Sequence, residues 1–216
     1  LAIRFIHWIG YFTTVAALII GAFAAYFIAT DGVEIYERNE KIREATRTHE
    51  GPFAANDDDV IGQHVILMLA ELPAIDTMEG NGLRFVALPS FGNSQYAVAM
   101  WRKQNIGPAS ALLVAVNEDT NAITRYPFLV PAGDYIQLVE QIDALNDKWD
   151  GTDLIYLDGV TIVFERIRGK RVTSGVGNVG HYSQIGWLVL RTVMRFAPDG
   201  PLPSENDWQN FDEKET

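Results

Sequence analysis

Cysteine is absent from all 216 residues, which excludes disulfides, thiolate metal sites and a cysteine nucleophile. Positive charge is scarce as well: 17 Lys and Arg stand against 28 Asp and Glu, a formal net charge of −11. Phosphate backbones are held by clustered bases, so no nucleic-acid partner is expected. None of the 4 histidines falls in a metal or catalytic motif, and His64 has no second histidine a helical turn away. No serine lies in a G-x-S-x-G elbow. Asp150, Asp153 and Asp158 each sit beside a turn glycine or a strand start, where Asp has a local backbone role. No cofactor is implied and no catalytic set can be assembled.

Apolar residues, by contrast, make up 48% of the chain, enough for one respectable core. They are concentrated first in Phe5 to Ala29, 25 residues without a formal charge. A helix of that length exceeds the roughly 30 Å of bilayer hydrocarbon, and a secretory signal would have a shorter apolar run. Phe5, Trp8, Tyr11 and Phe12 crowd one end of it and Phe23, Tyr26 and Phe27 the other, as side chains at two membrane interfaces do. The expectation is a transmembrane helix over 1–30 in contact with the lipid bilayer. Gly10, Thr14, Ala17, Gly21 and Ala25 recur three or four apart and form a small-residue stripe on one helical face. Such a stripe admits the backbone of a second helix, the usual basis of association in lipid. The alternative is the ordinary richness of membrane helices in Gly and Ala.

Arg38, Lys41, Arg43 and Arg47 follow the span and only Arg4 precedes it, so a plain count places the rest of the chain in the cytoplasm. Asp31 and Glu34 lie nearest the exit, and large domains cross regardless of charge, which favours the extracytoplasmic, periplasmic side. That side is the expectation, with the cytoplasm as its alternative. Residues 31–52 alternate acids and bases three to four apart, such as Glu34 with Arg38 and Glu37 with Lys41, and predict a solvent-facing helical stalk ended by Gly51-Pro52.

Residues 53–198 read as one α+β domain, mainly an antiparallel sheet of about seven strands presenting one face to two or three packed helices. A helix over about 60–72, capped by Asp59, carries Ile61, Val65, Met68 and Leu72 on one side. Two hairpins follow, around Gly92-Asn93 and 117–121. A helix over 134–148, with Asp134 as its cap, carries Ile136, Val139, Ile142 and Leu145. A three-stranded meander through "TDLIYL", "VTIVFERIR" and "KRVTSGVG" leads to a last helix over 181–196. The tail, 199–216, is polar and acidic.

Two local patterns invite function. "GVGNVG" at 175–180 fits the dinucleotide fingerprint G-x-G-x-x-G, yet the strand before it is a charged hairpin arm and no second strand follows the helix. A glycine-rich connection from strand to helix is the better reading. Arg166, Arg168, Lys170 and Arg171 form the densest basic patch, at a hairpin tip, and Trp101-Arg102 supply a further aromatic and guanidinium anchor. These six residues are the candidate partner-binding set. Together with the stripe they predict a non-catalytic single-pass subunit docked against other membrane protein subunits. A membrane-anchored sensor domain is the alternative, favoured if Phe85, Tyr96, Trp101, Tyr126 and Phe128 line a pocket. A tethered hydrolase is a third.

Overall fold

The computed structural model describes residues 33–55, 60–90, 93–103, 106–152, 154 and 159–203. The Phe5–Ala29 segment lies outside these residues, as do Asp59 and the acidic tail. Among the described residues no helix is long and apolar enough to cross a membrane.

Helix α1 spans 33–46 and leads into the short strand β1 (His49–Glu50). Then come α2 (Val60–Ala70), a 3-10 turn (Ile75–Thr77), β2 (Asn81–Pro89), β3 (Ser94–Trp101), β4 (Ala109–Asn117) and β5 (Ala122–Val130). Helix α3 (Ala132–Asn146), β6 (Val160–Arg168), β7 (Arg171–Gly177) and α4 (Gly180–Phe196) complete the order. The strands form a seven-stranded sheet, β1-β7-β6-β2-β3-β4-β5, in which every pairing is antiparallel.

The α+β class and the strand number agree with the sequence, but the sheet is covered on both faces. Phe85, Val98, Leu113 and Phe164 pack under α3 and α4, whose Tyr135, Ile142, Tyr182 and Ile185 close the larger core. On the other face Val86, Ala97, Ala99, Val114 and Val163 meet Val65, Met68 and Leu69 of α2 and Leu72 just beyond it. The central strands β2 and β3 are therefore buried along most of their length. Their near-continuous apolar runs, not a polar and apolar alternation, are what a doubly covered strand requires. Ala97 and Ala99 are small, which lets α2 lie close to β3.

Several local expectations are corrected. Of the expected strand over 152–157, Thr152 and Leu154 belong to no strand and the rest lies outside the described residues; the seventh strand of the sheet is β1, which pairs with β7 at His49↔Ser174. The stalk helix ends at residue 46, and its last turn is built into the domain: Thr46 is buried, and Trp149 Nε1 donates to its carbonyl at 2.9 Å. Asp134 does not cap α3, which begins after Pro131 without a side-chain cap; Asp134 pairs with Arg195 of α4 at 2.7 Å. Ile61 of α2 and Ile136 of α3 lie in solvent, while Tyr135 and Leu138 join Val139 and Ile142 in the core.

Candidate functional site

The five small residues of the stripe, Gly10, Thr14, Ala17, Gly21 and Ala25, lie outside the described residues. The other candidates fall on two surfaces. Trp101 ends β3 on the α2 side of the sheet, half-buried against the smaller core. Arg102 follows it and donates from Nε to Gly107 O at 2.9 Å, which fixes the loop to β4.

Beyond Trp101, β4 and β5 carry the α2 side of the sheet to its edge, because among the described residues β5 pairs with β4 alone. Alternation places Tyr126, Phe128 and Val130 toward the larger core and leaves Ile123, Arg125, Pro127 and Leu129 on the α2 side. Leu129 is 60% exposed there, opposite Ser110, which is itself opposite Trp101. Helix α2 does not reach across. His64, Leu67 and Glu71 share the flank turned to β5, since the ring of His64 lies 3.4 Å from Gln95 and Glu71 pairs with Arg125. Leu67 of that flank is 68% exposed. The product is an apolar patch of Pro127 and Leu129 beside Trp101, with Ile123 beyond Arg125 on the same face and exposed Leu67 on the facing flank of α2.

The basic hairpin is arranged differently from a free tip. Lys170 is exposed at the turn, whereas Arg166 is buried on the α3 side. Its Nε and Nη2 take the two oxygens of Asp143 at 3.0 and 3.1 Å, and its Nη1 donates to Asn81 Oδ1 and Gly82 O, each at 3.1 Å. Arg166 is thus a structural cation and not a surface anchor. Arg168 holds both oxygens of Asp147 at 3.3 and 3.1 Å, a pairing that raises its guanidinium above the usual value. Arg171 reaches Glu50 of β1 at 3.0 Å.

These arginines edge a cavity of about 230 Å³ between α3, the β6–β7 hairpin and the chain leaving α1. Arg47, Thr48 and Asn146 also line it, and each has a buried polar atom with no partner: Arg47 Nε, Thr48 Oγ1 and Asn146 Nδ2. Trp149, also part of the lining, stacks its ring on His181, with centroids 4.2 Å apart and planes at 5°. His181 Nε2 lies 3.0 Å from Asn146 Oδ1, and burial pulls the imidazole down to about 4, so it is neutral at pH 7 and donates from Nε2.

The glycine fingerprint has a packing explanation. The Tyr182 ring lies flat over Gly175 and Gly177, where any Cβ would strike it. β7 is antiparallel to both neighbours, unlike the strand of a dinucleotide site. Phe85, Tyr96 and Phe128 are core side chains on the face of the sheet opposite Trp101. Among the described residues no group of three or more His, Asp or Glu is placed to hold a metal ion.

Neither surface is visible as a sequence motif. The one signal for the patch is Pro127, which lacks a ladder donor and so marks β5 as an edge. The cavity joins residues about 100 positions apart, Arg47 with Asn146, and no spacing announces that meeting. Compared with known proteins, the chain matches no family model, no curated protein and no solved structure.

Proposed function

We propose that this chain is a non-catalytic single-pass membrane subunit that docks within a larger protein assembly. The observation that carries the reading is the apolar patch beside α2, where Ile123 and Leu129 are exposed on one face of β5 and Leu67 on the facing flank of α2. Scattered exposed apolar residues are ordinary, but an apolar patch beside Trp101 with the Arg125–Glu71 ion pair next to it has the composition of a protein interface. Trp101, half-buried beside it, is the anchor such an interface concentrates its energy on. The partner is another protein subunit presenting apolar side chains, and the uncharged Phe5–Ala29 segment supplies the attachment to the bilayer. This reading assigns the domain no chemistry of its own.

The test is recovery of partners after gentle detergent extraction of the tagged full chain. Replacing Leu129 and Ile123 by Asp leaves the core untouched, because both side chains already face solvent. The expected result is loss of co-purifying subunits with an unchanged thermal transition. Full recovery of the same partners by the double variant would remove the patch from the interface.

A further inference from the structure

The cavity beneath α1 points to a second property. We propose that it is a binding site for a phosphate group, free or carried by a small monoester or lipid headgroup. This goes beyond docking through the apolar patch, and the two surfaces share no residue.

The first argument is the state of the buried polar atoms. Buried donors in a folded protein nearly always have acceptors, and an orphan asks for an explanation. Here three such atoms, Arg47 Nε, Thr48 Oγ1 and Asn146 Nδ2, belong to residues that line this cavity and have no partner among the described residues. Two are donors only, and the hydroxyl is able to donate. Donors of this kind call for an oxygen-rich acceptor.

The second argument is charge. Four arginines and two aspartates line the cavity, which leaves the lining two positive in a chain whose net charge is −11. The two aspartates are already neutralised, since Arg166 takes both oxygens of Asp143 and Arg168 both of Asp147. Arg47 and Arg171 are differently placed. Their partners Glu44, Asp150 and Glu50 are not part of the lining and stand largely in solvent, where an ion pair has little strength. An entering dianion therefore exchanges weak rim contacts for two guanidiniums, and leaves the buried Arg166–Asp143 pair and the bidentate Arg168–Asp147 pair intact.

The third argument is shape. The donors come from the end of α1, from α3 and from β7, so they approach the cavity from different directions. That suits a tetrahedral oxyanion with acceptors on every side better than a planar carboxylate. The volume of about 230 Å³ accommodates a phosphate and a few attached atoms, and is small for a nucleotide.

The experiment is isothermal titration of the full chain in detergent with inorganic phosphate, glycerol 3-phosphate and succinate, beside flotation on vesicles with and without phosphatidate. Saturable phosphate or monoester binding is expected, weakened about tenfold or more by Arg171→Gln and by Thr48→Val. Arg195→Gln, a charge change at the far end of α4 beside Asp134, should leave it unaltered. Arg171 is exposed, so its variant keeps the fold, and the thermal transition of each variant verifies this. If only phosphatidate vesicles bind, and Arg171→Gln abolishes this, the site is the headgroup's. Tighter binding of succinate, no saturation by any phosphate source, or binding indifferent to both substitutions would overturn the proposal. Partner recovery by the Arg171→Gln variant keeps this outcome separate from that of the docking surface.

Discussion

Arg84 and Glu165 stand directly opposite each other on β2 and β6, and their charges meet beneath α2 with Glu165 wholly shielded from solvent. Glu165 Oε1 also accepts the Phe53 N–H at 2.8 Å, and Arg84 Nη1 donates to Leu69 O at 3.3 Å. The pair thus joins the central strands to α2 and to the segment that follows β1. Removing one partner leaves a buried charge uncompensated, so Arg84→Met or Glu165→Leu should each cost about 3–5 kcal/mol. The double variant should recover most of that loss, because two apolar side chains fill the space without a desolvation penalty. Urea denaturation of the four proteins gives the coupling; additive single losses would show that the charges act separately.

Tyr182 and the glycines beneath it make a second close relationship. A Cβ on Gly175 would sit 2.8 Å from Tyr182 Oη and 2.9 Å from Phe164 Cε1, and one on Gly177 would strike the ring itself. Gly177→Ala should therefore destabilise by about 1–3 kcal/mol through overpacking. In a Tyr182→Leu background the same substitution should cost much less, which thermal unfolding will show. An equal cost in both backgrounds would place the reason in the backbone instead.

The buried pair also shows what the sequence can and cannot reveal. Strand alternation puts Glu165 on the side opposite Ile162 and Phe164, and that side is where it lies. If only one face of the sheet is thought to be covered, the same alternation makes Glu165 a surface charge. What was missing was the second layer, since the short α2 carries no feature that says which sheet face it will cover. Hairpins, helix existence and strand order within hairpins follow from turn residues and periodicity. The pairing of β2 with β6 and of β1 with β7 is nonlocal, and nothing in the intervening residues encodes it. The candidate surfaces suffer from the same gap. Arg166 looks like part of an exposed tip until α3 brings Asp143 to it.

Thr46 fastens the last turn of α1 to the domain. Its hydroxyl accepts the Thr152 N–H at 2.9 Å and lies within hydrogen-bond reach of Ile42 O, Arg43 O and Thr152 O. Its carbonyl accepts from both Trp149 Nε1 and Tyr182 Oη. Thr46→Val keeps the shape and strands the Thr152 donor, so it should cost about 1–3 kcal/mol. The loss should be local: amide exchange is expected to accelerate along 42–48 and at Thr152 while the strands β2 to β4 stay protected. Uniform acceleration across the sheet would mean that this contact contributes to global and not local stability.

His181 makes stability depend on pH with a sign that can be worked out. Burial against Trp149 and Tyr182 lowers its folded-state value from 6.5 to about 4. Between those values the unfolded chain holds a proton that the folded chain rejects, so stability rises with pH across the window. The contribution is fully present above 6.5 and is lost as pH falls toward about 4, by on the order of 3 kcal/mol in total. His181→Phe retains a ring against Trp149 and removes the titration, though it gives up the contact with Asn146 Oδ1. That variant should be weaker than the natural chain at neutral pH, and the gap should narrow or reverse toward pH 4. Urea midpoints of both proteins through the window check this. A constant gap would show that the folded chain accepts the proton as readily as the unfolded one, and that the imidazole is not held neutral.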